Sequence, residues 1–245
     1  PRDGCWERHV FCFESEDVLF LALARFVHVL GPTIVTGYNT AGFDLPYMLN
    51  RATKLGVGTA FANAWGRSRY ASRMYYRPAV FQSTAVGRIE YNDVRAEGVM
   101  FLDLFLKLKK DPAIKLRSLS LNAVASHYLE DQKEDVAYSL INEYQKEPDT
   151  REKLRLYCEK DALLPLMLFA HMQVVQSMVE MARINGCSMH ELLNRGQQIR
   201  SKCCIYREAA QFTPPHRVYT RTDAERLAER HETFDGAAVI DPEVG

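Results

Sequence analysis

Apolar positions are grouped along this chain rather than spread evenly. Ser15-Glu16-Asp17 precedes a dense apolar run from Val18 to Leu30, and Gly31-Pro32 stops it. A cap residue, early acids and a Gly-Pro stop predict a helix. Thr33 to Thr36 is a short β-branched run and predicts a buried strand. Gly37 to Gly42 predicts a turn, and Asp44 to Leu55 a helix closed by Gly56. Residues 57–98 show no clear period and are expected to be irregular. Val99 to Leu106 is apolar around one acid, Asp103, and Leu116 to Leu129 predicts a further helix.

The second half is more helical. A long helix is expected from about Asp149 to Asn185, with an Asp149/Glu152 capping box, a kink at Pro165 and a stop at Gly186. Another is expected from Ser188 to Gln211, before Pro214-Pro215. Thr220 to Glu232 is charge-laced, and Phe234 to Ile240 predicts the start of a new strand-bearing unit. The helix–strand–turn–helix order predicts a layered α/β domain.

Composition adds little. The 245 residues are 47% hydrophobic, ample for one core or for one domain and part of another. Lys+Arg and Asp+Glu both number 31, so any nucleic-acid surface must come from local clustering. Cys5, Cys12, Cys158, Cys187, Cys203 and Cys204 form no C-x-x-C pair, which reads as reduced thiols in an intracellular protein. No stretch offers the ~20 apolar residues of a membrane span, so no membrane partner is expected.

Two carboxylates sit in unusual settings. Asp44 follows an apolar strand and a small-residue turn. Asp161 lies inside the long helix, one turn after Tyr157, so both side chains leave the same face. Spacing alone does not separate this from a partly buried Tyr beside a solvated acid. Asp103 invites a metal role, but a structural acid that caps the following helix is the favoured reading. Arg67, Arg69, Tyr70, Arg73, Tyr75, Tyr76 and Arg77 read either as a grip on single-stranded DNA or as a surface loop. His28, His127, His171, His190, His216 and His231 fall in no metal spacing.

The wording around these acids is more specific than their spacing. Ile34-Val35-Thr36-Gly37-Tyr38-Asn39 through Phe43-Asp44-Leu45-Pro46-Tyr47 resembles the second exonuclease motif of family B DNA polymerases. Tyr157-Cys158-Glu159-Lys160-Asp161-Ala162-Leu163-Leu164-Pro165-Leu166 resembles their third. Lys115 to Ser118, Leu121 to Val124, Gln132 to Val136, Leu193 to Gln198 and Phe234 to Ala237 resemble the delta-type branch. The resemblance runs in the family's order from about residue 14 to the end.

The resemblance implies an RNase H-like α/β 3′→5′ exonuclease domain over residues 1–186, without its first acidic motif. Residues 187–245 would be a helical linker and the start of the polymerase domain. It implies two-metal hydrolysis with Mg²⁺, Asp44 and Asp161 being two of four ligands. Tyr157 would orient the attacking water, which places the site in the tyrosine subclass. Asn39 and Phe43 would meet the primer's 3′ end, and Gly236-Ala237 would meet DNA on the way to the palm. The two missing ligands belong to an Asp-x-Glu motif that no residues before Asp44 supply; Glu14-Ser15-Glu16 starts with the wrong acid, at a helix start. The chain is therefore expected to be an inactive piece of a proofreading replicase. The implied partners are DNA and, for the whole protein, a sliding clamp and accessory subunits. The implied location is the nucleus or a viral replication site in an infected cell. A stand-alone exonuclease of the same subclass and an inactive DNA-binding scaffold are the alternatives.

Overall fold

The computed structural model describes residues 9–67, 73–130 and 138–218. The chain is a mixed α/β structure. Helix α1 (Glu16–Leu30) ends where Gly31 turns left-handed and its amide donates to Val27 O, just before Pro32. Ser15 stands at the N-cap position, but its hydroxyl makes no cap bond. It bonds Asp17 instead, and this holds the Asp17 carboxyl below its usual range. Glu16 is tied to Arg51 by Nε at 2.8 Å and by a second guanidinium nitrogen at 2.5 Å.

Strand β1 (Ile34–Gly37) follows, then α2 (Asp44–Lys54) and α3 (Gly58–Asn63). Two long strands, β2 (Tyr75–Ser83) and β3 (Gly87–Arg95), form an antiparallel hairpin in register Tyr75↔Arg95 to Ser83↔Gly87. Gly87 takes φ 74°, which closes a three-residue loop. This hairpin and α3 replace the irregular segment expected over 57–98. Strand β4 (Met100–Asp103) pairs in parallel with β1, Ile34 opposite Met100 and Gly37 opposite Asp103.

The parallel pair is covered on both faces. Val35 and Phe101 point into one apolar cluster, with Phe20, Ala24, Leu45, Phe61 and Trp65 from α1–α3 and the loop behind them. Ile34, Met100 and Leu102 point the other way, into a second cluster with Leu104, Leu108, Val124, Leu164 and Leu168. Successive strand side chains alternate in direction, so two adjacent residues serve two cores.

The second cluster is built by helices. They are α4 (Leu104–Lys109), α5 (Leu121–Leu129), α6 (Tyr138–Tyr144), α7 (Pro148–His171), α8 (Val174–Asn185), α9 (Met189–Asn194) and α10 (Gln197–Gln211). Helix α5 starts only after Ser120, whose hydroxyl accepts from Ala123 N, so residues 116–119 are not helical as expected. The capping box at Asp149/Glu152 does not form. Glu147 is the N-cap of α7, Pro148 opens the helix, and Glu152 pairs with Arg155.

The single helix expected from Asp149 to Asn185 is two helices, and the break lies after Pro165. Helix α7 runs through Pro165, and the chain bends by 44° between α7 and α8. Gln173 takes φ 48° there, in the left-handed region. Gly186 does end α8 as expected, at φ 68°. The helix expected over 188–211 is two helices broken at Arg195-Gly196, the first opened by a Ser188/Glu191 capping box. Among the described residues, no single helix is long and apolar enough to cross a membrane.

Candidate functional site

The parallel strand pair ends at a turn that is fastened from two sides. Asp103, opposite Gly37 at the end of β4, accepts from Asn39 N at 2.8 Å and Ala41 N at 3.0 Å. The same carboxylate accepts from Phe105 N and Leu106 N at 3.0 and 3.4 Å and so caps α4. Burial pushes its carboxyl pKa up, and these four amides pull it back toward the charged form. Asn92 on the hairpin donates to Ala41 O at 3.1 Å. The phenol of Tyr38 donates to Leu119 O at 2.5 Å. Asp103 is therefore the structural cap favoured on sequence grounds.

Inside the turn, Asn39 takes φ 60°. Its carbonyl accepts from the amides of Gly42 and Phe43 at 3.1 and 3.0 Å. A Cβ on Gly42 would sit 2.3 Å from Asn39 Oδ1, so glycine makes room for that amide side chain. The chain then enters α2 with Asp44 in its first turn, where the helix dipole favours a negative charge. Phe43 is 63% exposed and lies flat beside Tyr47, ring centres 5.9 Å apart and planes 11° apart. Phe43 was picked out from sequence, but its stacking on Tyr47 was not. Its signal is the four-residue spacing of two aromatics across a helix start.

Asp161 arrives from the other half of the chain. On α7 the positions Leu154, Tyr157, Asp161, Leu164 and Leu168 recur at three- and four-residue intervals, so they form one stripe. Leu164 and Leu168 are buried in the second core, which also takes in Ile34 and Tyr38 from β1 and its turn. Tyr157 and Asp161, both half-buried, continue that stripe toward the turn. The acids Glu152 and Glu159 on the same helix are both held by Arg155, at 2.7 and 2.8 Å.

Asp44 and Asp161 are coupled through their charges. Partial burial is the main force raising the Asp44 carboxyl pKa, and the Asp161 charge adds to it. Like charges held near each other form a place that a divalent cation would stabilise, and carboxylate oxygens suit a hard ion. Among the described residues, no group of three or more His, Cys, Asp or Glu side chains could hold a metal. The donors present fit a Mg²⁺ site as part of its ligand set.

The basic stretch is put to other uses near its ends. Arg67 donates to Thr33 Oγ1 at 2.7 Å, and its amide to Glu97 O at 2.8 Å. Arg77 pairs with buried Asp93, and Tyr76 exchanges hydrogen bonds with Asn50. Arg69, Tyr70, Gly236, Ala237 and the Gln132–Val136 segment lie outside the described residues, as does everything expected over 220–240.

Comparison with known proteins supplies a frame for this geometry. A profile of the "DNA polymerase family B, exonuclease domain" matches residues 5–124. The DNA polymerase delta catalytic subunit of Candida albicans is 37% identical over 237 residues, 96% of this chain and 22% of that protein. Its counterpart from Drosophila melanogaster is 38% identical over 239 residues, and that from Bos taurus 37% over 231. The chain spans about a fifth of the length of these curated relatives.

Proposed function

We propose, from the premise that this chain belongs to the family B DNA polymerases and lies in their exonuclease domain, that it carries the proofreading centre of a replicative DNA polymerase. The reaction is hydrolysis of the 3′-terminal nucleotide of a primer, on an RNase H-like scaffold of which β1 and β4 are two strands. What supports the reading is that the charge of Asp161, on the α7 stripe, bears on Asp44 at the start of α2.

Each group has a task. Asp44 and Asp161 hold Mg²⁺, together with an Asp-x-Glu pair that does not precede Asp44 in this sequence. When bound, the metal pair supplies charge stabilisation at the attacking and leaving oxygens. Tyr157, one turn before Asp161, orients the attacking water. Asn39 and the exposed Phe43 face the terminal nucleotide and fix its position. An unpaired terminus is favoured, since taking it out of the stack is less costly than melting a paired one. Residues 1–186 make up the exonuclease unit in this reading, and 187–245 lead to the polymerase domain. The parent protein acts in the nucleus or at a viral replication site, with a clamp and accessory subunits as partners.

The test uses the full-length polypeptide on a mismatched primer. Asp161→Ala should lower single-turnover removal of the terminal nucleotide by at least about 10²-fold, the scale of losing one preorganised electrostatic stabiliser. DNA synthesis on a matched primer should persist. Digestion near the original rate would overturn the assignment.

A further inference from the structure

The segment Leu193 to Gln198 has no part in the acid site, yet its Leu193, Arg195, Gly196 and Gln197 line a cleft. This cleft, roughly 420 Å³, lies between the hairpin tip, the end of α4, α8 and the α9–α10 junction. Met178, Met181 and Leu192 give it an apolar lining. Its charged lining is almost wholly basic: Lys107, Lys110, Arg195 and Arg200 against one acid, Asp111.

That acid is already engaged. Lys107 Nζ lies 3.3 Å from Asp111 Oδ2, which leaves the other three cations to set the sign of the cleft. Lys110 packs its ammonium 3.8 Å from the Tyr91 ring centre and donates to Leu193 O at 3.2 Å. Burial lowers its pKa to about 8, so it stays mostly protonated at neutral pH.

Arg200 is the informative residue. Its Nε–H is buried and has no acceptor, while one terminal nitrogen reaches Leu192 O at 3.5 Å. Buried donors are nearly always paired, so Arg200, which lines the cleft, has donor capacity that no protein group uses. Helix α10 begins in the same place. Its N-cap is Gly196, with no side-chain cap, so its first-turn amides also lack a side-chain acceptor.

We propose that this cleft binds a backbone phosphate of single-stranded DNA, with one base resting on the apolar lining. Arg195 and Arg200 grip the phosphate oxygens through the planar guanidinium fork that suits them. Gln197, at the start of α10, lines the same side. Only the choice of DNA as the strand rests on the proofreading reading; the phosphate site rests on the cavity.

The test measures binding of a fluorescent single-stranded oligodeoxynucleotide to the full-length polypeptide as salt is varied. Chelator and an Asp161→Ala background keep the strand intact. Arg195→Gln, at an exposed rim position, should weaken binding several-fold and reduce the log–log salt slope by about 0.7, the value of one lost phosphate contact on a single strand. Adding Arg200→Gln should roughly double both effects. The difference between parent and variants should vanish for an oligomer carrying uncharged methylphosphonate linkages at the contacted positions. An unchanged slope in Arg195→Gln overturns the proposal, even if the double variant fails to fold. So does an equal loss with the methylphosphonate oligomer. The binding assay needs no digestion, so it fails or succeeds independently of the acid pair.

Discussion

Asp103 and Asp44 both stand at a helix start just beyond the parallel strand pair, and burial raises the carboxyl pKa of both. They differ in where their oxygens point. Asp103 is 5% exposed and spends its lone pairs on four backbone amides, two in the turn and two in α4. Asp44 is exposed and feels the charge of a second carboxylate. One acid is consumed in holding the turn, and the turn places the other. An acid in an apolar stretch is thus no sign of chemistry until its acceptor capacity has been counted.

Removing Asp103 should have the larger effect on folding. Asp103→Ala leaves the Asn39 and Ala41 amides without their acceptor and uncaps α4. Each buried orphan costs about 1–3 kcal/mol and a lost cap about 1 kcal/mol, so a loss of at least about 3 kcal/mol is expected. Asp44→Ala should stay within about 1 kcal/mol of the parent, the scale of one lost dipole contact, while proofreading disappears. Urea unfolding of the two variants measures the contrast, and equal midpoints would break it.

The turn between the two acids offers a sharper division. Asn39 combines a left-handed backbone with a side chain beside Gly42. Asn39→Gly should keep stability within about 0.5 kcal/mol, because glycine takes this conformation readily. Asn39→Ala should cost about 1 kcal/mol, since alanine does not. If the amide meets the primer end, both variants should raise the KM for a frayed primer alike. A KM that followed stability instead would make Asn39 a turn residue only.

Legibility in the sequence followed the same division between local and distant causes. Asp44, Tyr157 and Asp161 could be proposed from sequence because each sits in a short, distinctive string. The first strand and the glycine stops at Gly31, Gly56 and Gly186 were readable because their signals are local. The β2–β3 hairpin was not, since Pro78 within β2 argues against a strand until Asn92 opposite it and the partner strand are known. Pro165 was expected to kink one long helix, where the chain forms two, α7 and α8. It removes the amide that would donate to the Asp161 carbonyl, and α7 continues past it with Leu164 and Leu168 packed in the core on the same stripe. The break falls at Gln173, where no proline or glycine announces it. The approach of Asp44 to Asp161 is tertiary, made by packing α7 beside β1, and no local string encodes it.

The smallest expected effect tests that approach directly. The carboxyl pKa of Asp44 is raised, so as pH rises its proton leaves the unfolded chain before the folded one. Stability linked to this group therefore falls as pH climbs from the ordinary carboxylate value of 3.8 through the folded pKa, and the penalty is complete above it. Asp44→Asn removes the titration and the repulsion with Asp161. In metal-free buffer it should melt at a slightly higher temperature than the parent at pH 7, and the gain should fade as pH drops below that window. Mg²⁺ should erase the gain by stabilising the parent alone, because two carboxylates then share a cation. A gain that did not depend on pH would mean that the Asp44 carboxyl pKa is not raised in the folded chain.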